Sequence, residues 1–213
     1  MDEHVAYRCC AHASPFWEDP NPQAGRFNHA GEAPTTYLGL HPLTPWAELL
    51  RATGRRTLAE VRGLRPVSWA ARVLADPADV VELTFDNAGE YGLAPDDLVS
   101  DQPGPCQAFA AALRADPDAP RVIIAPSAGL PGTRTLVLLG RRVTAPYDLE
   151  LNHDPAVDTS AAATAALGTS LYSLVGAVHY RHTGVHPGLA AWQNGDDFTF
   201  DEPPVTDEEF AVT

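Results

Sequence analysis

Short apolar runs, many of them bounded by Pro, Gly, Asn or Asp, have the composition of β-strands. We therefore predict strands over residues 5–10, 36–40, 67–74, 80–85, 121–125 and 135–139. Residues 129–132 are predicted to form the hairpin turn between the last two strands. Residues 13–36 are rich in Pro, Gly and Asn, and we predict that they are mostly loop.

Helical patterns are fewer than strand patterns. Thr44 suits a helix N-cap and Pro45 suits the first helical position, so we predict a helix from there. Glu48 is placed in its first turn, where a carboxylate interacts favourably with the helix dipole. Residues 106–115 have helical composition. The Ala-rich segment 160–182 carries apolar residues at helical spacing and is predicted to be a further helix.

The order of these elements bears on the fold class. Short strands with helices inserted between them, and no regular βαβ rhythm, favour an α+β fold with a mixed or antiparallel sheet. The 213 residues, of which 45% are hydrophobic, suit one domain with a real core and leave room for a terminal extension. From Asn194 onward the chain holds seven acidic residues and no basic one, and we predict an irregular surface tail or a disordered one.

Charge narrows the classes of partner. The formal net charge of −14 makes the chain a poor general binder of nucleic acid, because phosphate repulsion opposes contact. No apolar run approaches the roughly 18 residues that span a bilayer, and the acidic start Met1–His4 is not a secretory signal. With three cysteines, an odd number, we expect a cytoplasmic protein. All 14 basic residues are arginine, so any phosphate contact from a basic side chain must use a guanidinium group.

Common nucleotide and hydrolase motifs are missing. No G-x-G-x-x-G follows a strand, a P-loop is impossible without lysine, and no G-x-S-x-G surrounds Ser127. Cys9 and Cys10 have no second ligand pair at the spacing of a zinc finger, and we expect them to be buried thiols. His179, His182 and His186 would share or adjoin a helix face. We expect exposed polar residues there, with a metal-dependent hydrolase as an alternative that metal analysis would test.

One N-terminal segment combines groups that suit a single kind of ligand. Arg26 and Asn28 lie in a glycine-bounded loop, Tyr37 lies in a strand, and Glu48 lies in the following helix. A guanidinium, an aromatic ring and a carboxylate match a ligand with a phosphate, a flat ring and a sugar hydroxyl, such as a nicotinamide dinucleotide. Each residue also has an ordinary structural explanation when it is considered alone.

Two further residues could complete this site. Arg8 lies within the first predicted strand, where it is either an edge residue or a group aimed into a cleft. Ser127 follows the strand that ends at Pro126, where its hydroxyl could bond an amide or a phosphate.

Taken in order, these pieces resemble the RES domain, a family of bacterial toxins named for an Arg, a Glu and a Ser. The resemblance covers roughly residues 5–145. The matching pieces are Tyr7-Arg8, Gly25-Arg26-Phe27-Asn28 with Gly31, Thr36-Tyr37-Leu38, Trp46-Ala47-Glu48, Cys106-Gln107-Ala108 and Ile124-Ala125-Pro126-Ser127-Ala128. The family usually has Trp at the position of Phe27, and the phenylalanine preserves an aromatic ring there.

The resemblance implies a fold like that of ADP-ribosyltransferases such as diphtheria toxin. It implies NAD as the substrate, cleaved at the nicotinamide–ribose bond, with phosphate or water as acceptor and no metal. Arg8 and Arg26 would hold the NAD phosphates, with Asn28 in the same binding set. Tyr37 would pack on the nicotinamide–ribose end, Glu48 would act at the ribose, and Ser127 would line the nicotinamide side.

The family also implies a partner, an antitoxin with an Xre-like helix-turn-helix domain that plugs the active site. We expect residues 1–150 to form the catalytic domain and residues 151–213 to form an extension packed on it. That extension is also a candidate dimerisation element, so a homodimer is possible. Two alternatives remain open: ADP-ribosylation of a protein target, and an NAD-binding module without turnover whose acidic extension competes for Arg8 and Arg26.

Overall fold

The computed structural model describes residues 2–10, 23–61, 64, 67–140 and 171–201. The strands in this part of the chain are β1 (Asp2–Cys10), β2 (Thr35–Gly39), β3 (Val67–Ala75), β4 (Val80–Glu82), β5 (Val122–Pro126) and β6 (Arg134–Leu139). The α-helices are α1 (Thr44–Thr53), α2 (Leu58–Val61), α3 (Gly104–Ala115), α4 (Leu171–Ala177) and α5 (Pro187–Asn194). Short 3-10 helices cover Pro77–Asp79, Ala88–Tyr91 and Pro95–Leu98.

The strands form one six-stranded sheet in the order β3-β1-β2-β6-β5-β4. Neighbours pair antiparallel except for β4 and β5, which are parallel. The predicted fold class, α+β with a mixed or antiparallel sheet, is therefore confirmed. Among the described residues, β1 and β2 pair only at Tyr7 and Gly39, whereas β1 and β3 pair over nine positions. The pairing between β1 and β2 is thus much shorter than that between β1 and β3. The candidate site lies beside the contact between β1 and β2.

Alternation along the central strands buries both faces of the sheet. Ile123 of β5 and Val137 of β6 point into a cluster with α3 and the 3-10 segments. Ile124 of β5 and Leu136 of β6 point the other way, into a cluster with β1, β2 and β3 residues. Successive side chains of a strand point to opposite faces, so apolar runs such as residues 122–125 are what a strand covered on both sides requires.

A third cluster joins the N-terminal half to the C-terminal segment. Trp46 and Leu50 of α1 pack with Leu130 from the β5–β6 turn and with Leu174 of α4. All four side chains are 0–1% exposed. The described part of the predicted extension therefore shares a core with α1. Where one domain would end and another begin stays a prediction.

Two predicted element boundaries need correction near the N-terminal helix and β4. Thr44 is not the N-cap of α1, because the helix already includes it and its hydroxyl donates to Thr133 Oγ1 at 2.9 Å. The strand predicted over residues 80–85 ends at Glu82. It ends there because the Thr84 backbone N–H donates to Asn87 Oδ1 at 2.7 Å, which starts a turn.

The C-terminal segment differs most from the prediction. Of the helix expected over 160–182, residues 160–170 lie outside the described residues, and α4 ends at Ala177. The chain leaves the helix because the His179 N–H donates to Gly129 O at 3.0 Å instead of continuing the helical ladder. Helix α5 was not predicted, although Pro187 at its start and Gly195 at its end are ordinary helix boundary signals. No helix in the described ranges is long and apolar enough to cross a bilayer.

Candidate active site

A cleft of about 360 Å³ lies against the line where β1 and β2 meet. Its walls come from Arg8 and Cys9 of β1, the 24–27 loop, one side of α1, the 100–103 segment and the end of β5. The volume is in the range of small-molecule sites in proteins. Segments that are far apart in the sequence thus enclose one concave space.

The charge of the cleft is opposite to that of the chain. Acidic residues outnumber basic ones by 28 to 14 over the whole sequence. The cleft lining instead contains four arginines, Arg8, Arg26, Arg51 and Arg181, against two carboxylates, Glu48 and Asp101. Concentrating cations in a concave site attracts anionic ligands even on an acidic protein.

The Glu48 carboxylate is held by two hydrogen-bond donors on the turn between β5 and β6. Its Oε1 accepts hydrogen bonds from Ser127 Oγ at 2.7 Å and from the Gly129 N–H at 2.8 Å. No acidic residue lies in the first turn of α1, so the expected first-turn placement of Glu48 is wrong, and these two donors orient its carboxylate. Within the described structure, Oε2 of Glu48 has no hydrogen-bond partner. One carboxylate oxygen is therefore fixed while the other remains available in the cleft.

Gly129 is required for this contact. A Cβ at that position would lie 3.0 Å from the Glu48 nitrogen and 3.1 Å from the Ala47 carbonyl carbon. Those are backbone atoms of α1, which cannot move aside as a flexible side chain would. The missing side chain therefore allows the turn to approach the helix closely enough for its N–H to reach the carboxylate.

Ser127 lies behind the carboxylate and is not part of the cleft lining. It is 1% exposed, and its hydroxyl also accepts from the Leu130 N–H at 3.0 Å. Its carbonyl oxygen is 3.1 Å from His186 Nε2, whose ring accepts the Leu189 N–H at Nδ1. Burial lowers the pKa of His186 to about 3, so the ring is neutral and Nε2 carries the donated proton. Ser127 thus positions Glu48, and direct contact with a ligand stays a prediction.

Tyr37 lines the cleft, and Asn28 supports it from behind. The Tyr37 hydroxyl accepts from the Phe27 N–H and donates to Asn28 Oδ1, both at 2.8 Å. Asn28 is 1% exposed, and its amide donates to two backbone oxygens of the same loop. Burial raises the pKa of Tyr37, which keeps the phenol neutral. A Cβ at Gly25 would lie 2.5 Å from both the tyrosine and asparagine oxygens, so the glycine leaves room for this hydrogen bond.

The two predicted phosphate-binding arginines both line the cleft. Arg26 is fixed by the protein itself, since Nη1 donates to Asp97 O at 2.9 Å and Nη2 to Ser100 O at 2.7 Å. Arg8 projects from β1, and burial lowers the pKa of its guanidinium. A partly desolvated cation gains more from an anionic partner than one in open water.

The predicted site residues did not include Arg51, Gln107 or Arg181. Arg51 is 5% exposed and ties three segments together through His179 O, Val99 O and the Asp101 carboxylate. Gln107 Nε2 donates to the carbonyl oxygens of two residues in the 25–28 loop, at 2.9 and 3.0 Å. Arg51 lies three residues after Glu48 on the same helix. This spacing places the two side chains on one helix face and could have indicated that Arg51 belongs to the site.

The histidines do not form the predicted shared helix face, because α4 ends before His179. His186 is buried, whereas the His182 side chain is 87% exposed. Across the described ranges, no group of three or more His, Cys, Asp or Glu side chains could hold a metal ion. Cys9 and Cys106 are free thiols whose pKa values are raised by burial, to about 11 for Cys106.

Comparison with known proteins agrees with this architecture. A family model described as RES domain matches residues 5–158, which is more than half of the chain. Among solved structures, the chain is similar to one in the crystal structure of the M. tuberculosis MbcT–MbcA toxin–antitoxin complex. The TM-score is 0.59 at 23% identity, covering 71% of this chain and 82% of that chain. No curated protein matches the sequence. The family resemblance inferred from the ordered residues is confirmed.

Proposed function

Since the chain belongs to the RES domain family, we propose that it cleaves the nicotinamide–ribose bond of NAD⁺, with phosphate or water as acceptor. In this reaction the bond between the anomeric carbon and the pyridinium nitrogen breaks, and its electron pair goes to the departing nicotinamide. A bond then forms between the anomeric carbon and an oxygen of the acceptor. Phosphate gives ADP-ribose 1″-phosphate, and water gives ADP-ribose with release of one proton to the solvent.

The observation that carries this proposal is the fixed carboxylate of Glu48 within an arginine-lined cleft. Ser127 and Gly129 orient Oε1 from behind, so Oε2 can face the ribose. A preorganised carboxylate stabilises positive charge that develops at the anomeric carbon, and it needs no rearrangement during the reaction. Nicotinamide is already a good leaving group, so positioning and charge stabilisation supply the remaining catalysis.

We assign the binding roles in keeping with the same geometry. Arg8 and Arg26 hold the NAD phosphates, and Tyr37 presents its neutral ring to the nicotinamide–ribose end. The two N–H···O bonds that fix Arg26 pre-orient it, so binding does not have to order that side chain. Asn28 and Ser127 act one layer further back, by holding Tyr37 and Glu48 in place.

We also propose that the protein is the toxin of a toxin–antitoxin pair and acts by depleting cellular NAD. The family assignment supports this role, and the structural neighbour comes from a toxin–antitoxin complex. The expected partner is an Xre-like antitoxin that covers the cleft. ADP-ribosylation of a protein target uses the same bond cleavage with another acceptor, so it is an outcome of the product analysis below.

Self-inhibition by the acidic extension receives less support. Asp196, Asp197 and Asp201 belong to the described part of the tail, and none of them lines the cleft. The 171–201 segment instead shares a core with α1, where Leu174 packs against Trp46. Removing everything after residue 150 would therefore uncover that core, and a point substitution is a cleaner test than a truncation.

The experiment incubates purified full-length protein with NAD⁺, with and without inorganic phosphate, and identifies products by mass spectrometry. We expect nicotinamide release, with ADP-ribose 1″-phosphate as the second product when phosphate is present. Glu48→Gln keeps an oxygen that accepts from Ser127 and Gly129 but removes the charge. We expect it to fold and to lose activity by about 10²- to 10³-fold.

Glu90→Gln is the matched control, because Glu90 is exposed and lies outside the cleft lining. Its turnover should equal that of the unmodified protein. Absence of nicotinamide release from the unmodified protein would overturn the proposed reaction. Full turnover by Glu48→Gln would overturn the role of the carboxylate while leaving the reaction intact.

A further inference from the structure

The 179–183 loop brings a cleft arginine from outside the part of the chain that matches the family model. That match ends at residue 158, whereas Arg181 lines the same cleft as Arg26 and Glu48. The segment after the matched part therefore contributes directly to the wall of the candidate active site.

The start of this loop is bonded to the machinery that holds Glu48. The His179 N–H donates to the carbonyl oxygen of Gly129, whose own N–H binds the Glu48 carboxylate. The His179 carbonyl accepts from Arg51 Nη1 at 2.5 Å. Gly129 therefore bonds both the loop and the Glu48 carboxylate, and this fixes the position of the loop relative to that carboxylate.

The middle of the loop is clamped from the other side by the turn after α1. The Tyr180 hydroxyl donates to Arg55 O at 2.7 Å, and Arg56 Nη2 donates to Arg181 O at 3.2 Å. The Arg56 guanidinium also stacks over the Tyr180 ring, 4.7 Å from its centre. The backbone at Arg181 is therefore fixed although its side chain is exposed.

The end of the loop adopts an unfavourable backbone conformation. His182 has φ of +61°, the left-handed region that costs a non-glycine residue roughly 1–2 kcal/mol. Its N–H donates to Asp101 Oδ2 at 2.8 Å, which holds the chain in that conformation. The contact that maintains this conformation comes from Asp101, which itself lines the cleft.

Arg181 differs from the arginines beside it in how its donors are used. The Arg26 guanidinium donates hydrogen bonds to two backbone oxygens, and the Arg51 guanidinium donates to three protein oxygens. Within the described structure, the Arg181 side chain has no hydrogen-bond partner. Burial lowers the pKa of Arg51. The Glu48 and Asp101 carboxylates raise it, and the charges of Arg26 and Arg181 lower it, so all four charged groups are close to Arg51 in the cleft.

We propose that Arg181 is a substrate-binding residue that contacts a phosphate of the dinucleotide, held in place by the rigid 179–183 loop. This proposal rests on the proposed function, because it assigns a contact with the phosphates of the same substrate. The N–H donors of Arg181 can bind a ligand, whereas the neighbouring guanidinium groups of Arg26 and Arg51 already donate hydrogen bonds to the protein. It acts on binding and takes no part in breaking the nicotinamide–ribose bond.

The test measures the affinity for ADP-ribose by calorimetry and the steady-state constants for NAD⁺, in full-length protein. For Arg181→Gln we expect the Kd for ADP-ribose and the KM for NAD⁺ to rise about tenfold, the effect of losing one charge-assisted hydrogen bond. We expect kcat to stay within about twofold, since the step at Glu48 is untouched. Arg181→Lys keeps the charge without the planar fork and should recover part of the affinity.

Arg134→Gln is the matched control, because Arg134 is exposed, pairs with Glu82 and lies outside the cleft lining. It should bind ADP-ribose like the unmodified protein. An Arg181→Gln variant with unchanged Kd and KM overturns this proposal alone, as does an equal loss in the control. An unmodified protein that neither binds ADP-ribose nor cleaves NAD⁺ overturns the proposed function, and this proposal with it.

Discussion

Replacing Ser127 with alanine should weaken the fold and the reaction together, because its one hydroxyl serves two partners. It donates to the Glu48 carboxylate at 2.7 Å, and a hydrogen bond to a charged group contributes about 1.5–3 kcal/mol. It also accepts from the Leu130 N–H at 3.0 Å. Leu130 is fully buried, and leaving such a donor without an acceptor costs about 1–3 kcal/mol.

These contributions set the expected size of the effect. Glu48 keeps its bond from the Gly129 N–H, so the first loss should fall at the low end of its range. We expect Ser127→Ala to lower the free energy of unfolding by about 3 kcal/mol. The carboxylate would also be less firmly oriented, and we expect kcat for NAD⁺ cleavage to fall about tenfold to a hundredfold.

Urea unfolding followed by circular dichroism measures the first quantity, and nicotinamide release measures the second. Thr53→Ala is the control, because its hydroxyl makes an exposed bond to Leu49 O on the same helix. It should change the free energy of unfolding by less than about 0.5 kcal/mol and leave kcat unchanged. A Ser127→Ala variant that is no less stable than Thr53→Ala, or that cleaves NAD⁺ at the unmodified rate, would contradict this prediction.

Two further predictions concern the groups behind the cleft. Burial lowers the pKa of His186 from 6.5 to about 3 in the folded protein, so the unfolded chain binds the proton first as the pH falls. Stability should therefore decrease below about pH 6.5, with about 2 kcal/mol lost at pH 5 through this residue. His186→Gln should flatten that part of the unfolding profile, and a profile parallel to the unmodified one would contradict the assignment. The pKa of His179 is lowered too, so the difference between the two proteins is the quantity to compare. Tyr37→Phe should leave the Phe27 N–H and Asn28 Oδ1 without their shared partner and lower the free energy of unfolding by about 2 kcal/mol. An unchanged urea midpoint would show that the phenol hydroxyl does not hold the loop.

The strands were the most predictable elements, because their signals are local. Apolar runs with turn residues at their ends located β5 and β6 to within one residue at each end. The end of α4 was not predictable in this way, since a hydrogen bond from His179 to Gly129 decides it. Helix α5 carried readable Pro and Gly boundary signals. Its capping residue is His186, which is not among the preferred N-cap types.

In the candidate site, too, local sequence signals were readable and long-range contacts were not. The types of residue and their order predicted which of them would meet, and Arg8, Arg26, Tyr37 and Glu48 do line one cleft. Which neighbours face the cleft and which stand behind it could not be inferred. Ser127 and Asn28 look like ligand-binding groups in the sequence, yet both are 1% exposed. Their donors and acceptors are used to hold other side chains.

The amino-acid sequence sets which chemical groups are available to this protein. It limited the basic groups to arginine, excluded the P-loop, and set the ordered residues that identify the RES domain family. How those groups are used depends on the folded chain. Ser127 and Glu48 are 79 positions apart, and Arg181 lies beyond the matched segment. A side chain's chemistry is a local property, whereas its partners depend on the path of the chain. The support of Glu48 and the place of Arg181 in the cleft therefore appear only in the folded protein.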